Sequence, residues 1–179
     1  MLLLINEKQF LFRLKYYCYM DNGQLRFENQ LTIIEQLIDE SRNKEDRGLW
    51  LLENNLRTSL FMIEGLARLY RKCHNKKLFK KIGKKAKKIE DQLGQIDYLK
   101  EVYSSFSENA NIPSSIKVYL VQNINDETKK LNTLLEDKGW LDYSQVKKIK
   151  KRLREEICTI YRRGNAFAKY ANERNGKCF

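Results

Sequence analysis

The sequence predicts an all-α protein: an antiparallel bundle of about six long helices, built as a single domain over residues 1–179. Three observations carry this. One proline and eight glycines in 179 residues leave few points at which a helix is forced to stop. From Phe27 onward, apolar residues recur at three- and four-residue spacing, which lines one face of an α-helix. No segment has the Pro-, Gly- and Ser-rich composition of a linker.

Residues 1–23 fit two patterns. Phe10, Phe12, Leu14 and Tyr16 alternate with Leu11, Arg13 and Lys15, and Asn22-Gly23 would turn a hairpin. Phe10, Leu11, Leu14 and Tyr17 also share a helical face, and a lone hairpin is marginal, so the reading leans to helix. Residues 24–42 form the next helix through Phe27, Leu31, Ile34 and Ile38. The polar run Asp39–Gly48 bounds it. A third helix is expected from Leu49 to Cys73 along Leu49, Leu52, Leu56, Ser59, Ile63, Leu66 and Tyr70. Trp50, Leu60, Phe61 and Ala67 widen its apolar face, which suits a central helix.

After a turn near Asn75 a fourth helix runs to about Ser105, with a bend or close approach expected at Gly94. Ser107–Ser115 is the clearest loop, and Pro113 suits the first position of the following helix. That fifth helix, 114–137, uses Ile116, Leu120, Ile124, Leu131 and Leu134, and Gly139 ends it. The last begins near Asp142 or Ser144 and continues through Val146, Ile149, Leu153, Ile157, Ile160, Gly164, Phe167 and Ala171. Residues 175–179 are expected to fray.

The fourth helix holds the strongest functional signal. Lys76–Lys88 reads KKLFKKIGKKAKK, with eight lysines and no acid. Leu78, Phe79, Ile82, Ala86 and Ile89 fall on one face, and Lys77, Lys81, Lys84 and Lys88 lie near the centre of the opposite one. Like charges four residues apart repel by a few tenths of a kcal/mol per pair. Two readings fit: a plain solvated face, or a wall about 18 Å long for a polyanion. A second basic run comprises Lys147, Lys148, Lys150, Lys151, Arg152 and Arg154.

The formal net charge of +12, from 35 basic and 23 acidic side chains, points to an anionic partner without naming it. Cys18, Cys73, Cys158 and Cys178 form no C-x-x-C pair and His74 is the single histidine. No metal site or cofactor is expected from that inventory. The cysteines read as reduced and mostly buried, in a reducing, cytoplasmic setting. Met1–Ile5 is interrupted at once by Asn6, Glu7 and Lys8, unlike a signal peptide, and no apolar run is long enough to span a membrane. Cys73 and His74 are adjacent, so they do not face each other as a nucleophile and base would. His74 reads instead as a partner for a helix C-terminus. Arg68 and His74 have a spacing similar to the R-x4-6-H motif of HEPN ribonucleases, but Leu69 follows the Arg where a polar residue is wanted. Glu90 with Asp91, and Glu155 with Glu156, read as charge balancing. No catalytic residue is assigned, and the protein is expected not to be an enzyme.

A set of longer segments adds a family expectation. AKKIEDQLGQIDYL, from Ala86 to Leu99, resembles the LKxLQDxLGxxxD segment of the CHAD, or histidine α-helical, domains. Upstream, ENNLRTSLFMIEGLARLYRKC is similar to their HxxRxxxRRxR helix. Downstream, IYRRGNAFAKYANERN resembles the YRRGRxAxxxA helix that opens their second repeat. The similarity covers about residues 30–175. The family histidine falls at Asn54 and its paired arginines near Phe61 and Met62, while Arg57 is kept and Asp97 stands as the acid. The resemblance thus implies a shortened, diverged member. It implies an α-helical bundle that binds inorganic polyphosphate on a basic surface without catalysis, with Arg57, Arg162 and Arg163 at family basic positions. Lys77, Lys81, Lys84 and Lys88 are added from the geometry of the lysine face.

The function expected from the sequence is therefore non-enzymatic binding of a polyanion, foremost polyphosphate. The alternatives are RNA or DNA on the same face, or a protein-interaction module that docks an acidic partner. Base recognition wants aromatics among the basic groups. Phe79 falls on the core side, which leaves Tyr161 beside Arg162 as the better stacking candidate.

Overall fold

The computed structural model describes residues 23–107, 109 and 111–156; the segment 1–22 and the residues after 156, including Arg162, Arg163 and Tyr161, lie outside them. Among the described residues there are six helices and no strand. They are α1 (23–40), α2 (Arg47–Glu53), α3 (Leu56–Tyr70), α4 (Lys76–Ser107), α5 (Ser114–Asp137) and α6 (144–156). The all-α bundle expected from the sequence is the fold observed.

Each helix forms because its apolar residues keep one phase. In α1, Phe27, Leu31, Ile34 and Ile38 are buried. In α4, Phe79, Ile82, Ala86, Ile89, Leu93 and Ile96 are buried, an unbroken alternation of three- and four-residue steps over a helix of 32 residues, ~48 Å long at 1.5 Å per residue. In α6, Val146, Ile149 and Leu153 are buried. One hydrophobic cluster takes residues from all six helices, with Trp140 at the α5–α6 junction.

Polar cross-links fix the directions. Arg57 at the start of α3 meets Asp97 near the end of α4, while Tyr70 at the end of α3 packs on Phe79 near the start of α4. So α3 and α4 are antiparallel. Gln92 of α4 donates to the Glu127 carbonyl and carboxylate of α5 at 3.1 and 2.7 Å. Lys150 of α6 pairs with Glu35 of α1 at 2.6 Å, and Tyr143, just before α6, bonds to Asp39 near the end of α1. Glu156 at the end of α6 accepts from the backbone and side chain of Asn75, just ahead of α4.

Three expectations are corrected. The single helix from Leu49 to Cys73 is two. Asn54 turns both its backbone N–H and its Nδ2 onto the Trp50 carbonyl at 3.0 and 2.8 Å, and Asn55 takes a left-handed φ of 64°. Asparagine tolerates that conformation better than most side chains, so the chain breaks where the hydrophobic spacing alone does not. The seven-residue α2 is correspondingly short for the long helices expected. Phe61 does not widen the buried face: it is 59% exposed, beside exposed Met62. In α5 the predicted stripe departs from the core at its start only, since Leu120 and Leu131 are buried and Ile124 and Leu134 pack against the core. Ile116 is exposed, and Leu131 and Leu135 are the fully buried pair near the C-terminus. Pro113 stands one residue ahead of α5, at its N-cap.

The end of α5 sets up the functional surface. Gly139 has φ +69°, the left-handed value that glycine adopts without a Cβ clash. The Gly139 N–H donates to Glu136 and the Trp140 N–H to Leu135, both at 2.9 Å, the Schellman pattern of helix termination. The Gly139 carbonyl then accepts from the Gln145 N–H at 2.7 Å, and Asp142 Oδ1 accepts from the Ser144 N–H at 2.9 Å. These bonds seat the start of α6 against the end of α5 and fix Trp140 and Gln145 beside α4.

Candidate anion-binding groove

Because α4 commits one face to the core, its lysines are left on the other. Lys77, Lys81, Lys84 and Lys88 are all exposed. Lys77, Lys80, Lys81, Lys84, Lys85 and Lys88 line a groove of about 470 Å³ whose other lining is Ile89, Trp140, Gln145, Asp137 and Lys138. Seven lysines thus face one carboxylate. A second hollow of about 380 Å³ shares Lys77 and Lys81 and adds Arg152, with Glu155 and Glu156 at its edge. The two hollows lie side by side along the N-terminal half of α4, with Lys77 and Lys81 between them.

Among the described residues, Lys77, Lys80, Lys81, Lys84, Lys88 and Lys138 form no ion pair. Several cations elsewhere are engaged. Lys87 of α4 pairs with Asp91 at 2.7 Å. Arg68 is held by Glu64 at 2.8 Å, Lys130 by Glu127 at 2.7 Å and Lys100 by Glu53 at 2.7 Å. Charge balancing therefore operates at those positions and not among the lysines of the groove.

Lys85 is the least exposed of the groove lysines. Its Nζ donates to Gln145 Oε1 at 2.7 Å. Burial, followed by the neighbouring charges of Lys81, Arg152 and Lys148, holds its ammonium below the ordinary lysine value. Four cations from α4 and α6 share one electrostatic field at that point. The second basic run divides between two faces: Lys148 and Arg152 reach this field, whereas Lys150 and Arg154 turn to Glu35 and Glu28 of α1.

The structure brings together the four lysines expected from the sequence and adds three more. Lys80 and Lys85 belong to the same run and come in from its flanks. Lys138 comes from the end of α5, and no local pattern marks it. Arg57 is placed elsewhere. Its guanidinium bonds Glu90 at 3.1 Å and Asp97 at 2.8 Å, and the Glu90 bond, more than the Asp97 one, holds its pKa above the ordinary value. Gly94 makes room for it, since a Cβ there would lie 2.9 Å from Arg57 Nη2. The close approach expected at Gly94 is thus to this side chain. Arg57 does not line the groove, and Arg162 and Arg163 lie outside the described residues.

Cys73 is exposed, unlike the burial expected of most of the cysteines. The other three cysteines lie outside the described residues. His74 stacks on Tyr70 at 5.3 Å between ring centroids. Burial lowers its pKa and Glu156 opposes that shift. Among the described residues there is no group of three or more His, Cys, Asp or Glu placed to hold a metal ion, and no helix long and apolar enough to cross a membrane.

No protein-family model, curated protein or solved structure matches the chain. Its function has to be read from the groove itself.

Proposed function

We propose that this chain is a non-enzymatic polyanion-binding protein and that its ligand is inorganic polyphosphate, held along the channel between α4, α6 and the end of α5. One observation carries the reading: seven lysines line the groove against one carboxylate, and the six exposed ones form no ion pair among the described residues. Keeping like charges together at i,i+4 costs helix stability, so the arrangement calls for a compensating ligand. Ammonium groups suit a flexible phosphate chain because each acts as a point charge with no demand on orientation. Affinity would arise from many weak, screened contacts and the counterions they release. The similarity of three segments to CHAD domains supports the same ligand class by a separate route, and membership of that family is part of the proposal.

Nucleic acid is less well supported. Among the described residues the aromatic side chain in the groove is Trp140, 2% exposed, which offers no ring face for a base to stack on. The test is a competition. Labelled polyphosphate is bound, then displaced by polyphosphates of increasing length or by single-stranded RNA, across a salt series. We expect displacement that improves with polyphosphate length. We also expect affinity to fall by about a thousandfold between about 50 and 200 mM salt, if six or more lysines are neutralised. Stronger displacement by RNA than by polyphosphate of equal charge would favour the nucleic-acid reading. Binding that is flat across salt would point to a protein partner.

A further inference from the structure

Within the groove one neutral side chain stands out. Gln145 is 5% exposed. Its Nε2 has no hydrogen-bond partner and is closed to water. The assignment of its two amide atoms is fixed by chemistry: Lys85 can only donate, so the atom facing it at 2.7 Å must be the oxygen. The unsatisfied atom is therefore a buried N–H donor on a side chain that lines a cationic groove. A buried donor without an acceptor is costly, and buried polar groups in folded proteins are rarely left so. The backbone leaves it little choice, since the Gln145 N–H is tied to the Gly139 carbonyl.

We infer that Gln145 and Lys85 form a seat for a single phosphoryl group, which anchors one residue of the polyphosphate chain and gives the groove a fixed point of registry. This rests on the proposed function and deepens it. An entering phosphoryl oxygen draws the half-buried Lys85 ammonium away from the amide oxygen, because a charge-assisted bond to phosphate is stronger than one to a neutral amide. The terminal torsion of glutamine is broad, so the amide turns its donor toward the same oxyanion. Lys81, Arg152 and Lys148, which already act on Lys85, close the positive field around it. The rest of the channel holds the chain by charge alone. The seat adds a directional contact that a shielding cloud of lysines lacks.

The test compares wild type with Gln145→Leu, which keeps the volume and removes the donor. Tripolyphosphate and a long-chain polyphosphate are titrated at several salt concentrations, and thermal melts are recorded without ligand. We expect Gln145→Leu to weaken tripolyphosphate binding by about tenfold. Its salt slope should be unchanged, because a neutral donor releases no counterion. The unliganded melting temperature should change little, since the orphaned donor is lost together with the acceptor of the Lys85 ammonium. Lys84→Gln is the contrast: it should lower the salt slope by about one charge. If wild type binds both ligands and Gln145→Leu is within twofold at every salt, the seat is refuted and the polyanion function stands. If Gln145→Leu loses affinity and melting temperature together, Gln145 is a packing residue and the seat is refuted. If wild type binds neither ligand, the function falls and the seat with it.

Discussion

Exchange of Lys77, Lys81, Lys84 and Lys88 for glutamate in one variant is expected to reduce polyphosphate affinity by more than a hundredfold while leaving the fold intact. All four are exposed and sit over the outer face of α4, and each exchange turns an attractive contact into a repulsive one in a channel where charges lie within a Debye length of ~10 Å. The chain as a whole keeps an excess of basic over acidic residues after the exchange, so attraction spread over the surface would survive it. The fold has no reason to suffer. None of the four forms an ion pair among the described residues. A glutamate introduced at position 81 would stand four residues from Lys85, and one at position 84 four residues from Lys80, a favourable spacing. At low ionic strength the variant should therefore melt at or above the wild-type temperature. Binding measured by titration, with a thermal melt beside it, checks both halves. Retained affinity with a native melt would move the site elsewhere.

The largest effect on stability is expected at Trp140. Its side chain is 2% exposed and joins the common core, directly after the glycine that ends α5. Truncation to alanine removes the largest buried side chain of the described residues and leaves a cavity between α4, α5 and α6, at a cost of about 3–5 kcal/mol. A domain of this size has about 5–15 kcal/mol in all. Trp140→Ala should thus lower the urea midpoint sharply, with phenylalanine restoring much of it. Because the same residue floors the groove, the alanine variant should also lose ligand-induced stabilisation. A cost below about 1 kcal/mol would mean that the α5–α6 junction is not packed as described.

What the sequence made legible follows from how local each feature is. The pattern of α4 was readable residue by residue, because burying Phe79, Ile82, Ala86 and Ile89 fixes where every lysine between them must point. The break at Asn54–Asn55 was not. The apolar phase from Leu52 to Leu56 passes through it undisturbed, and the left-handed turn depends on a backbone choice that spacing does not reveal. In α5 the half before Leu120 and just after it carries Ile116, Val118, Tyr119 and Val121 on several faces, all of them exposed, so periodicity alone singles out no stripe there. The groove shows the same division. Its α4 wall was visible as a charge run, but Lys138, Trp140 and Gln145 belong to it only because the turn at Gly139 brings them there. The second basic run was visible too. Its division between α1 and α4 follows from α6 packing against both helices, which the sequence does not state.

The central claim, that the unpaired lysines beside α4 hold the ligand, is tested most directly by amine-specific acetylation read out by mass spectrometry, with and without polyphosphate. Selective protection of Lys77, Lys80, Lys81, Lys84, Lys88 and Lys138 is expected, with exposed Lys44 and Lys129 modified at unchanged rates. Protection spread evenly over all lysines, or confined to positions outside the groove, would contradict it.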